Sequence, residues 1–318
     1  MIEVAPPVAK DAIIAELTAD KFLRKTNKGD NEIYVVTAHN SPNIMAEIGR
    51  LRELTFRVAG GGTGDAVDID RYDTIEHPYQ QLFVWDPDAR EILGGYRYLL
   101  GKGLGTDDNG DLQMATAQLF VLSDRFKQEY LPYTIELGRS FVQPDYQSSK
   151  AGAKALFALD NLWDGLGALT VDYPDMKYFF GKVTMYTHFN IHARNMILYF
   201  FQKYFGDNER LVYPKNPIAL NMDEAELERR LNGGSFQADY RLLTQGVREL
   251  GENVPPLINA YMNLSPSMKT FGTAINPHFG GVEETGISVT IKDIYEAKKD
   301  RHIETYMRQK TNLYFELK

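Results

Sequence analysis

Short apolar runs and alternating stretches predict strands over residues 32–37, 81–85, 92–100, 134–142, 178–186, 268–275 and 286–291. Between them, apolar residues recur at helical spacing. Ser41 and Pro42 open a helix that carries Ile44, Ile48, Leu51, Leu54 and Phe56. A second helix, after residue 152, carries Leu159, Leu162, Trp163 and Leu166, and a third covers 188–205. A charged helix is expected over 222–231, and a terminal one over 294–309 as a solvated cover. Residues 11–24 predict a short helix with Ile13, Ile14 and Leu17 on a narrow face. Docking on the protein's own body suits that face better than resting on anionic lipid. Asp86, Pro87 and Asp88 form the turn of a hairpin between the second and third strands. Residues 114–130 are less decided and end helical. The expected organisation is an extension over 1–30, an α/β domain over 31–291 with a helical insertion at 206–254, and a terminal helix over 292–318.

Charges interrupt two of the apolar strands. Glu136 and Arg139 lie in the 134–142 run and Arg97 in the 92–100 run. A buried strand avoids a charge unless it is paired or used. Side chains alternate along a strand, so Glu136 and Arg139 should face opposite ways. A β-bulge at Gly138 would turn both towards one cleft. Otherwise they are two unrelated charges on a half-exposed strand. Beyond Pro144, the polar loop Gln147, Ser148, Ser149, Lys150, Ala151 and Gly152 meets a helix start, where backbone N–H groups can hold an anion.

The segment from 58 to 77 is glycine-rich and then acidic. Its Gly60–Gly64 run does not follow a strand, so a dinucleotide fingerprint is a poor match. Asp65, Asp68, Asp70 and Asp73 have the rhythm of a metal loop without the later ligands. They read as a solvated turn or as partners for the arginines of the preceding helix, and no metal site is expected. His192, on the 188–205 helix, reads as structural.

Composition narrows the function classes. The chain of 318 residues is 43% hydrophobic and 25% charged, which fits a globular protein with a sizeable core. It has no cysteine, which excludes disulfides, thiolate metal sites and a cysteine nucleophile. A net charge of −8 argues against broad nucleic-acid binding. No secretion-type apolar segment or membrane-length run is present, so a cytoplasmic location is expected.

The order of elements resembles the GNAT acyltransferase fold, and particular residues sharpen the likeness. Arg52, Phe56 and Arg57 stand on the first helix, followed by Asp68-Ile69-Asp70-Arg71-Tyr72-Asp73. Leu82-Phe83-Val84-Trp85-Asp86, Gly94-Gly95-Tyr96-Arg97, Glu136-Leu137-Gly138-Arg139-Ser140 and Pro255-Pro256-Leu257-Ile258 continue the pattern. Together these features resemble the hemolysin-like branch, whose better-known members are N-acyltransferases making lyso-ornithine and related amino-acid lipids. Acyl-homoserine lactone synthases are similar in the arginine helix, acidic triad and Glu–Arg pair.

The resemblance implies an α/β fold with a mixed sheet splayed between its fourth and fifth strands, here 134–142 and 178–186. It also implies an acyl-phosphopantetheine donor lying in the splay. Glu136 would then be the base and backbone N–H groups of Phe141, Val142 and Gln143 the oxyanion donors. Arg97 and Arg139 would hold Asp70 and Asp73. Ser149, Lys150, Ala151 and Gly152 would take a phosphate. With one glycine, that loop suits the single phosphate of acyl carrier protein better than the pyrophosphate of CoA. Lys150 and Lys154, with Arg194 and Lys203, are candidates for meeting that acidic partner. The reading is therefore transfer of a long, 3-hydroxylated acyl group from acyl carrier protein to an amino acid. It involves no tightly bound cofactor and allows peripheral contact with the inner membrane. The alternatives are a CoA-dependent acetyltransferase of a small amine and a non-enzymatic, membrane-active protein.

Overall fold

A computed structural model describes residues 1–147, 153–220 and 223–316. The apolar runs become β1 (Phe22–Lys25), β2 (Glu32–Val36), β3 (Gln80–Asp86), β4 (Glu91–Leu100), β5 (Phe120–Leu122), β6 (Thr134–Val142), β7 (Tyr178–Met185), β8 (Val212–Pro214), β9 (Lys269–Asn276) and β10 (Val282–Thr290). Eight of them form one mixed sheet in the order β1-β2-β3-β4-β6-β7-β10-β9, while β5 and β8 pair beside it. The helices are α1 (Lys10–Glu16), α2 (Pro42–Val58), α3 (Arg71–Thr74), α4 (Ala153–Asp172), α5 (Ile191–Phe205), α6 (Glu224–Arg230), α7 (Phe236–Glu249), α8 (Pro256–Met262), α9 (Glu296–Lys299) and α10 (Thr305–Glu316).

Strand alternation sorts the core into two faces. Ile33, Leu82, Val84, Tyr96, Ile135, Leu137, Phe179 and Val183 join residues of α4, α5 and α8 in one cluster. Tyr34, Phe83, Trp85 and Phe141 join Ile44, Ile48 and Leu51 of α2 on the other face. The 206–254 segment packs Leu227, Leu231, Leu243 and Val247 into the first cluster.

β6 and β7 are the parallel neighbours at the middle of the sheet. They pair only from Thr134↔Tyr178 to Leu137↔Gly181 and then part, although both strands run on. At the last paired position a Cβ on Gly181 would sit 2.5 Å from the Leu137 carbonyl oxygen, so the strands close to this point only because residue 181 is glycine. On its other side β6 pairs antiparallel with β4, with a bulge. Gly95 stands opposite Phe141 and Arg97 opposite Gly138, which leaves both Arg139 and Ser140 across from Tyr96. Arg139 takes φ = 52°, in the left-handed region.

Several elements depart from the sequence expectation. The helix expected over 11–24 stops at Glu16, and Phe22–Lys25 instead pairs with β2 at the sheet edge. Buried Ile13 docks α1 against the body. Helix α7 lies in the helical insertion expected over 206–254, beyond the one helix delimited there, and residues 114–130 contain a short strand between helical turns. The C-terminal helix is more than a solvated cover. His302 and Tyr306 are buried, His302 Nδ1 lies 2.7 Å from Asp164 Oδ1 of α4, and Arg24 donates to the His302 carbonyl. The chain's two ends are thereby fastened to one helix. Among the described residues, no helix is long and apolar enough to cross a membrane.

Candidate active site

The charges inside the strands find each other. Arg97, buried in β4, donates from Nη1 to Asp70 Oδ1 at 2.8 Å and from Nη2 to Asp70 Oδ2 at 2.7 Å, and Nη1 also lies 2.9 Å from Asp73 Oδ2. Arg52 of α2, also buried, sits 3.3 Å from Asp73 and donates to Gln81 Oε1. Arg139 reaches Asp68 at 2.8 Å and stands 3.8 Å from Asp70, its guanidinium 4.1 Å over the Phe279 ring. Three arginines thus meet three aspartates in a compensated cluster, as buried charges require. Burial pushes the Asp73 carboxyl up, but Arg97 and Arg52, with the Asp70 N–H, hold it well below the usual carboxylate range. Asp68, Asp70 and Asp73 of the acidic segment are therefore partners of the arginines rather than members of a solvated turn. Asp70 caps α3, accepting from the Tyr72 N–H while Asp73 accepts from the Asp70 N–H, a reciprocal capping box.

This cluster positions Tyr79. The Tyr79 hydroxyl donates to Glu136 Oε2 and accepts from the Ala115 N–H at 2.8 Å, and the Arg97 guanidinium lies 4.7 Å over its ring. Glu136 Oε1 accepts from the Thr116 N–H at 2.8 Å. Burial pushes the Tyr79 phenol far above its ordinary range, and Glu136 adds to the shift, so Tyr79 stays a donor to the carboxylate.

Where β6 and β7 part, a cavity of about 510 Å³ opens through the sheet. One half is apolar, walled by Leu137, Leu159, Leu162, Val183, Ile258 and Tyr261. The other half carries Glu136, Arg97, Arg139, Lys182, Thr184, Tyr186 and Glu284. Glu136 and Arg139 do share one cleft, through a bulge one residue beyond the expected Gly138.

Of the expected oxyanion donors, Gln143 is ruled out. Its N–H donates to Leu93 O at 3.0 Å and its side chain to Ile92 O at 2.5 Å. Phe141, opposite Gly95, stands in the same phase of the ladder, which directs its N–H to β4. By alternation the Val142 N–H points the other way, to the side where β7 has left. Ser149, Lys150, Ala151 and Gly152 lie outside the described residues. Arg194 and Lys203 are not free for a docking patch: Arg194 is buried and bonded to Glu283 at 2.9 Å, and Lys203 lies 2.7 Å from Asp239. His192 is exposed rather than structural.

Tyr79, Gln81, Lys182 and Glu284 escaped the sequence reading. Lys182 carried the signal that marked Arg97, a charge within an apolar strand. Tyr79 and Gln81 gave none, because their roles depend on the neighbouring acidic segment.

The acetyltransferase (GNAT) domain family matches residues 51–156. The glycine N(alpha)-acyltransferase of Phocaeicola vulgatus is 57% identical over 309 residues, covering 97% of this chain and 95% of that protein. The glycine N(alpha)-acyltransferase of Bacteroides thetaiotaomicron is 57% identical over 307 residues, covering 96% and 91%. A solved CoA-dependent acyl-homoserine lactone synthase aligns with a TM-score of 0.38 and 11% identity over 87% of this chain and 89% of that one. With relatives matched nearly end to end and the acetyltransferase domain recognised within it, the chain belongs to the GNAT-fold N-acyltransferases, as an enzyme that transfers an acyl group to an amine.

Proposed function

We propose that the protein transfers a long, 3-hydroxylated acyl chain from the phosphopantetheine thioester of acyl carrier protein to the α-amine of glycine, giving an N-acylglycine for amino-acid-lipid synthesis. The observation that carries this reading is the two-sided cavity. An acetyl group needs little apolar space, whereas here an apolar half reaches between α4 and α8 behind the splay. The names of the relatives support glycine as acceptor. A sequence with one glycine over residues 147–152 supports a donor with one phosphate.

In the reaction, the ammonium form of the acceptor must first lose a proton. Glu136, directly or through water, is the base we assign. The free amine attacks the thioester carbonyl carbon. To the Val142 N–H we assign stabilisation of the resulting oxyanion. Collapse breaks the C–S bond, the thiol leaves with a proton, and the amide remains. Arg97, Arg139, Asp70 and Asp73 act by holding the segment that carries Tyr79 beside Glu136.

Steady-state kinetics with glycine and three donors tests the reading: a long-chain acyl carrier protein thioester, the matching acyl-CoA and acetyl-CoA. The expected order of kcat/KM is carrier protein, then long-chain CoA, then acetyl-CoA. If acetyl-CoA is best, the chain-length reading is wrong. If long-chain CoA equals or exceeds the carrier protein, the donor assignment is wrong.

A further inference from the structure

Most charged groups in the cleft are tied into short contacts, but Lys182 and Glu284 are not. They project from adjacent strands β7 and β10, with Lys182 opposite Gly286 and Thr184 opposite Glu284. Lys182 Nζ stands 3.6 Å from Glu284 Oε2, an ion pair too long for a hydrogen bond, although both side chains are largely enclosed at 14% and 5% exposure. Among the described residues nothing else bonds Lys182 Nζ. Glu284 accepts at Oε2 from Asn276 Nδ2 at 3.2 Å, and no described residue donates to its Oε1. An ammonium and a carboxylate kept out of water without completed bonds are costly unless a guest completes them. The Arg97–Asp70 contact nearby, at 2.7 Å, shows a finished pair for comparison.

Their position matches the reaction. Glu136 stands opposite Phe180 in the parallel register, and Lys182 lies two residues further along β7 on the same face. That is roughly 7 Å along the strand, the reach of one small molecule. Lys182 is also the first residue of β7 past the last paired position, at the root of the splay.

We propose that Lys182 and Glu284 form the acceptor subsite, a two-charge receptor for the zwitterion of a small α-amino acid. Lys182 takes the carboxylate, and Glu284 takes the ammonium before it is deprotonated. This rests on the amino-acid acceptor reading and adds the residues that enforce it. The subsite rejects amines that lack a carboxylate.

The test compares glycine with glycinamide, which keeps the amine and loses the carboxylate charge. Wild type should favour glycine strongly in kcat/KM. Lys182→Met should raise the glycine KM roughly tenfold to a hundredfold, as loss of a charge-assisted bond does, and leave the donor KM unchanged. It should also bring glycine and glycinamide close to parity. Lys182→Met/Glu284→Gln, which strands no buried charge, should show the same loss of discrimination, and its melting curve guards against misfolding. If either folded variant keeps the wild-type glycine KM and preference, the subsite is wrong while glycine acylation by wild type still stands. If wild type fails to acylate glycine or any other small α-amino acid, the acceptor reading falls and the subsite with it.

Discussion

Replacing Arg97 with methionine tests whether the arginine–aspartate cluster holds the site together. The side chain volume is largely kept, so the loss is electrostatic. Asp70 loses its bidentate partner at 2.7 and 2.8 Å, and Asp73 loses a contact of 2.9 Å. Removing one partner of a buried pair costs about 3–5 kcal/mol. Two features favour the lower end. Asp73 keeps Arg52 at 3.3 Å and the Gln81 amide at 2.8 Å, and the Asp70 side chain is 30% exposed, so water can solvate it. A loss of about 3 kcal/mol corresponds to a fall of roughly 4–5 °C in melting temperature for a chain of this size. Asp70→Asn, at the half-open end, should cost only about 1 kcal/mol once solvent screening is allowed for. The double variant should lose less than the sum by at least about 1 kcal/mol. Thermal and urea unfolding of the four proteins closes the cycle. A melting temperature for Arg97→Met within about 2 °C of wild type, or simple additivity, refutes the shared network.

Glu136→Gln is nearly isosteric, and the Tyr79 hydroxyl can turn to accept from the new amide. The fold should survive while kcat drops roughly 10²–10⁴-fold at saturating glycine, and near-normal turnover across the accessible pH range removes Glu136 from the base role. Asp73 titrates below its unfolded value of about 3.9, so its contribution to stability is complete above that pH and is lost as pH falls towards its folded value. The stability gap between wild type and Asp73→Asn should therefore be widest near neutrality and narrow below about pH 4. A gap that stays constant from pH 7 to pH 3 overturns that assignment.

What the sequence disclosed follows a physical division. Strands β3, β4, β6 and β7 were legible because burial on two faces demands nearly continuous apolar runs, which made Arg97, Glu136 and Arg139 conspicuous exceptions. Edge strand β1 was not, because Phe22-Leu23-Arg24-Lys25 reads as the basic tail of a helix. Only pairing with β2, and the burial of Arg24 against α4 and the C-terminal segment, makes it a strand. The same limit hid Tyr79 and Gln81, whose roles exist only once the 65–79 segment folds back over β6. Gln143 misled for a subtler reason. Sequence places three N–H groups in a row beside the cleft, but ladder alternation spends every second one on β4.

The bulge at Arg139 is what allows one cavity to serve two chemistries. In an unbroken strand Arg139 would share the face of Leu137 and project into the apolar half, where a guanidinium lacks a partner. The extra residue opposite Tyr96 shifts the phase, so Arg139 turns to Asp68 and the Phe279 ring, on the side of Glu136. A non-glycine residue in left-handed backbone costs of order 1–3 kcal/mol, which the Asp68 pair and the ring contact offset. The same shift bends β6 beyond Gly138, one residue after β7 ceases to pair with it. Charge sorting and strand separation therefore share one cause. The geometry that keeps cations out of the apolar half is also the geometry that opens it.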